Sequence, residues 1–139
     1  MTNNKTVLAW VEEMKQLVKP DHVMWIDGSE KQLDELRATA VKTGEMIKLN
    51  EELLPGCYLH RTKPNDVARV EDRTFICTTN EEDAGPTNHW CAPAEMYERL
   101  YQIAKGSYQG RTMYIIPFSM GPIGSPLAKI GVEITDSIY

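Results

Sequence analysis

The sequence predicts an α/β fold: a single domain with a mixed β-sheet flanked by about three helices. Three observations carry this. The first fifty residues alternate helix-type and strand-type patterns, an order that favours mixed layers over an all-helical or all-strand architecture. A third helical pattern and two further strand patterns follow. The chain has 139 residues, 42% of them hydrophobic and 25% charged, which suits one core rather than two.

The elements follow in order. Residues 5–19 read as an amphipathic helix, because Val7, Val11, Met14, Leu17 and Val18 recur at helical spacing and Pro20 stops the pattern. His22–Ile26 is a short strand closed by the Asp27-Gly28 turn. Ser29, with Gln32 three residues on, is a capping box opening a second helix. Leu33, Leu36, Ala40 and Val41 form its buried stripe, and Gly44 ends it. Met46–Leu49 reads as a strand, as does Thr74–Thr78, with Cys77 in the core; Asn80–Asn88 reads as a loop. A third helix spans Pro93 to Lys105, with Met96, Leu100, Ile103 and Ala104 inward and proline in the first turn. Arg111–Phe118 has strand composition, and Lys129–Thr135 alternates with Ile130, Val132 and Ile134 on one face.

Charge and cysteine usage narrow the function classes. A net charge of −5 argues against a nucleic-acid surface, which needs clustered Lys and Arg. An anionic substrate must then be held by a local cation rather than by the field of the whole molecule. Cys57, Cys77 and Cys91 are odd in number and read as reduced thiols. Glu12 and Glu13 interrupt the apolar stretch Val7–Val11, so no signal-peptide core forms. The uncharged run Thr112–Ala128 is broken by Pro117, Pro122 and Pro126 and is too short to span a bilayer. A soluble, cytoplasmic protein is expected. The chain stops at Tyr139, just after a strand and an Asp-Ser turn, which reads as a polypeptide cut short.

Standard catalytic motifs are missing. There is no Gly-x-x-x-x-Gly-Lys-Ser/Thr phosphate loop, and Gly121–Gly124 places proline where backbone N–H groups would face phosphate. Neither a Gly-x-Ser-x-Gly elbow nor a His-Glu-x-x-His motif occurs. Cys57, His60, Cys77, His89 and Cys91 could ligate zinc, although only Cys57-x-x-His60 has a usual spacing. The segment Asp66–Thr74 holds Arg69 between Val67 and Val70. There Arg69 either offers its planar donors to a carboxylate or phosphate, or is an exposed arginine paired with Asp66, Glu71 or Asp72.

Two blocks go further. Residues 110–137 read Gly-Arg-Thr-Met-Tyr-Ile-Ile-Pro-Phe-Ser-Met-Gly-Pro-Ile-Gly-Ser-Pro-Leu-Ala-Lys-Ile-Gly-Val-Glu-Ile-Thr-Asp-Ser. This block resembles the signature of the N-terminal domain of GTP-dependent phosphoenolpyruvate carboxykinases. Arg61–Thr74 resembles a second block of that family in the right order, and Asn88-His-Trp90 resembles its tryptophan-containing segment. The resemblance implies a carboxykinase N-terminal domain fold over residues 1–139. The activity it implies interconverts oxaloacetate plus GTP with phosphoenolpyruvate, carbon dioxide and GDP, with manganese or magnesium. Arg69 then binds the carboxylate-bearing substrate, and Glu71 contacts the mobile lid on closure.

The family's metal ligands, nucleotide loop, reactive cysteine and lid come later than the signature block. No catalytic, metal-binding or nucleotide-binding residue is therefore expected within this chain, and alone it is expected to be inactive. Its implied partners are the substrate and the missing C-terminal part of the same polypeptide, with neither nucleic acid nor membrane. An exposed apolar patch is expected where that part normally sits. Two alternatives stay open: a stand-alone small-anion-binding module, and a zinc-stabilised structural domain.

Overall fold

The computed structural model describes residues 2–64, 66 and 70–138. Helix α1 spans Lys5–Val18, and the Asn4 side chain caps it by accepting from the N–H groups of Thr6 and Val7. At its other end two last-turn carbonyls, which no intrahelical donor can reach, are satisfied by a distant loop. Gly106 N–H donates to Leu17 O at 2.8 Å, and Tyr108 N–H to Val18 O at 2.9 Å. Strand β1 (His22–Trp25) follows, then α2 (Glu30–Thr43), β2 (Ile47–Lys48) and β3 (Tyr58–Leu59). Next come β4 (Phe75–Ile76), β5 (His89–Trp90), α3 (Pro93–Ala104), β6 (Thr112–Met120) and β7 (Lys129–Thr135). Short 3-10 turns occupy Glu71–Arg73 and Glu81–Ala84.

The main sheet has the order β1-β6-β7. It is mixed: β1 runs parallel to β6 with His22 opposite Thr112, and β7 runs antiparallel to β6 with Ile134 opposite Ile115. The α1 face of this sheet holds the core. Val11 and Val18 meet Met113 and Ile115, and Val7, Leu17, Trp25, Ala104, Tyr108, Val132 and Ile134 pack around them. Met113 and Ile115 are fully enclosed. On the other face Phe118 lies opposite Gly131, and its ring fills the space where a Cβ would sit.

The fold class agrees with the expectation, and several details correct it. The sheet is not continuous: β2/β3 and β4/β5 are separate two-stranded pairs. The Ser29 capping box forms only by half. Gln32 N–H donates to Ser29 Oγ, but the Gln32 side chain turns back to β1, accepting from Asp27 N–H and donating to Trp25 O. Cys77 is exposed and the buried cysteine is Cys91, because β4 ends at Ile76. Leu33 and Val41 of α2 are exposed, leaving Ala40 as its buried residue. Leu100 and Ile103 of α3 are also exposed, Ile103 at 74%. Helical periodicity marks which face is apolar; it does not supply a partner for that face. Ile130 likewise points along the core face of β7 but stays open.

Candidate substrate-binding segment

Arg69 lies outside the described residues, as do positions 65, 67 and 68. Asp66 N–H donates to Lys63 O at 2.9 Å. After Val70, the Glu71–Arg73 turn is closed by Arg73 N–H to Val70 O and Thr74 N–H to Glu71 O. Thr74 Oγ1 also donates to Val70 O at 2.8 Å, so one side chain pins the turn against the start of β4. Glu71 is exposed at the head of this turn.

The turn is anchored through β4. Phe75 pairs with His89, with ring centroids 5.9 Å apart, and the Arg99 guanidinium of α3 sits 5.4 Å from the Phe75 centroid. Trp90 Nε1 donates to Thr78 O at 3.0 Å, and Asn88 Nδ2 to Ala84 O at 2.7 Å. Cys91 N–H donates to Ile76 O. The segment is thus held largely by hydrogen bonds and one aromatic contact rather than by a shared core.

Two adjoining clefts that sequence reasoning did not anticipate lie elsewhere, beyond the C-terminal end of β1. One, of about 530 Å³, is lined by Trp10, Trp25, Pro117 and Val132 among others; the other, of about 680 Å³, by Trp25, Asp27, Gly28 and Pro117 among others. Among the described residues, no Lys, Arg or His lines either cleft. Their carboxylate, Asp27, is held below its ordinary pKa first by the backbone N–H of Ser29 and then by the Ser29 side chain. A negatively charged wall without a cation does not suit a dicarboxylate or a phosphate ester. The signal that could have found these clefts was the Asp-Gly turn directly after β1.

The five possible zinc ligands do not assemble: among the described residues no group of three or more His, Cys, Asp or Glu could hold a metal ion. His60 Nδ1 instead lies 2.6 Å from Glu45 O, bridging back to the start of the β2 hairpin.

The fold and its anchored irregular segment define a small α/β domain of mixed sheet. A family model describing the phosphoenolpyruvate carboxykinase N-terminal domain matches residues 9–139. The phosphoenolpyruvate carboxykinase (GTP) of Anaeromyxobacter dehalogenans is 52% identical over 138 residues, 99% of this chain and 23% of that protein. The Corynebacterium efficiens protein of the same name is 49% identical over 99% of this chain and 22% of its own length. That of Neocallimastix frontalis is 54% identical over 136 residues, again 22% of its length. The chain belongs to the phosphoenolpyruvate carboxykinase family, in its N-terminal domain. It spans less than a quarter of the length of these relatives. No described helix is long and apolar enough to cross a membrane.

Proposed function

We propose that residues 1–139 are the substrate-binding N-terminal domain of a GTP-dependent phosphoenolpyruvate carboxykinase and form one wall of its oxaloacetate/phosphoenolpyruvate site. The observation that carries this is the identity of about half the residues across nearly the whole chain to proteins of that name. Arg69 is the substrate-binding residue. Decarboxylation leaves an enolate beside a retained carboxylate, and a planar guanidinium can grip that carboxylate through two parallel hydrogen bonds while the reacting carbon stays in line. Glu71 contacts the lid when it closes, a role that suits an exposed carboxylate at the head of a pinned turn.

Within this chain no residue is catalytic, and none binds metal or nucleotide. The described residues do not fit a manganese or magnesium site, since they contain no suitable ligand cluster. We assign the metal and GTP to polypeptide beyond the matched region, the chain's partner, because the family's metal ligands and nucleotide loop come later than the block that residues 110–137 resemble. Without them the main electrostatic stabilisation of phosphoryl transfer is missing, and Arg69 cannot replace it. The setting is the cytoplasm. Neither the fold nor the matches favour a stand-alone anion-binding module.

Titration of the 139-residue chain with phosphoenolpyruvate, followed by NMR, tests the assignment. Saturating shifts at millimolar ligand should centre on residues 66–74. Arg69→Ala should weaken binding at least tenfold, consistent with about 1.5–3 kcal/mol for a hydrogen bond to a charged group. Shifts that persist in the variant would remove Arg69 from the site, and turnover of oxaloacetate and GTP by the chain alone would overturn the reading.

A further inference from the structure

Of the two outer strands of the sheet, β1 is short and β7 is the longer, and among the described residues neither pairs with any strand but β6. β1 pairs only with residues 112–115 of β6, and the N–H of Ile26 adds one bond to Ile115 O. Beyond that point β6 and β7 continue as a bare two-stranded ribbon. A ribbon of this kind is marginal in water by itself. It is nevertheless rich in exposed apolar side chains: Ile123 is 90% exposed, Leu127 85% and Ile130 72%.

The two edges of the ribbon differ. On the β6 side Pro117 has no N–H to offer a new neighbour. On the β7 side seven residues, Lys129–Thr135, run about 23 Å at 3.3 Å per residue without proline. Among the described residues, β7 takes its strand pairing from β6 alone. Such an edge is a template for another strand.

We propose that the outer edge of β7 receives a β-strand from the polypeptide that lies beyond the matched region in the longer relatives, with the ribbon tip docking on the same body. The inference rests on the carboxykinase reading and adds to it the place of attachment. The share of the relatives' length that lies outside the match supplies the occupant. A tethered strand acts at millimolar effective concentration, which a second copy of the chain at micromolar concentration does not match.

The side-chain alternation of β7 specifies the incoming strand. Ile130, Val132 and Ile134 share the α1 face, so the new strand carries apolar residues beside them. Lys129 and Glu133 share the opposite face, so it carries an acid near the first and a base near the second.

Amide hydrogen exchange on two proteins decides the matter: the isolated 139-residue chain, and the whole Anaeromyxobacter dehalogenans enzyme, whose matching segment spans 138 residues. In the isolated chain, amides of 129–135 that are not bonded to β6 should exchange close to the unprotected rate. In the whole enzyme the matching amides should exchange at least 100-fold more slowly. Equal, fast exchange in both would refute the added strand. Protection in the isolated chain that grows with concentration, together with a dimer in sedimentation, would assign the edge to a second copy and refute the proposed occupant. The Arg69 titration reads a different surface, so the two ideas fail separately.

Discussion

The α1–sheet unit and the stretch from residue 44 to residue 92 sit in one chain and are held by different forces. In the first, Met113 and Ile115 are enclosed by α1 and β7, and the geometry follows from close-packed apolar volume. In the second, paired strands are two residues long, Ala84 and Cys91 are the buried apolar residues among those described, and shape comes from side-chain hydrogen bonds to backbone. The difference teaches that in this domain the rigid part is a platform, and the segment proposed for recognition is flanked by a turn, Glu71–Arg73, that hydrogen bonds hold. This is the usual division between scaffold and binding segment.

The largest expected effect tests the platform. Met113→Ala empties a fully enclosed site and should destabilise the chain by about 2–5 kcal/mol in denaturant unfolding. A loss under 1 kcal/mol would mean that the core is not where stability resides.

Gly131→Ala should come next. The added Cβ would run into the Phe118 ring, and overpacking of this kind costs about 1–3 kcal/mol. Combining it with Phe118→Ala should recover part of that loss, and strict additivity would show that the ring is not the obstacle.

Trp90→Phe should remove the bond to Thr78 O, worth about 1 kcal/mol. Amide exchange across 75–92 should quicken while β6 amides stay protected. Equal quickening in both places would make the two regions one cooperative unit and erase the contrast.

The smallest effect is with pH. Lys15 lowers the pKa of Glu12, Ser29 that of Asp27, and Lys48 that of Glu51. Each folded-state value thus lies below its ordinary one, 4.5 for Glu and 3.8 for Asp. The stability these groups add is fully present above the ordinary values and is lost as pH falls through the lowered ones. The unfolding midpoint should stay level down to about pH 5 and decline below it, with a shallower decline in Asp27→Asn. An unchanged acid slope in that variant would separate Asp27 from the loss.

Legibility in the sequence divides along the same line. The bounds of α1, α2 and α3 were readable within a residue or so, because Pro20, Ser29, Gly44 and Pro93 act locally, and those of β7 because its residues alternate. β3 was not, since Tyr58–Leu59 is a strand only by pairing with Ile47–Lys48 across a loop. Nor was the exposure of Leu100 and Ile103, which depends on what α3 meets. The role assigned to Arg69 came from a resemblance of blocks; spacing and composition by themselves favoured a surface ion pair. The Trp25–Pro117 clefts escaped notice because they exist only once β1 lies beside β6.

That last adjacency governs how the domain can assemble during synthesis. β1 and its neighbour β6 are separated by residues 26–111, so the first strand has no place in the sheet until most of the domain has emerged from the ribosome. Until then α1 must carry Val11 and Val18 uncovered, waiting for Met113 and Ile115. Closure over so long a span is slow by nature, and the nascent helix is the part of the newborn chain most exposed to wrong company.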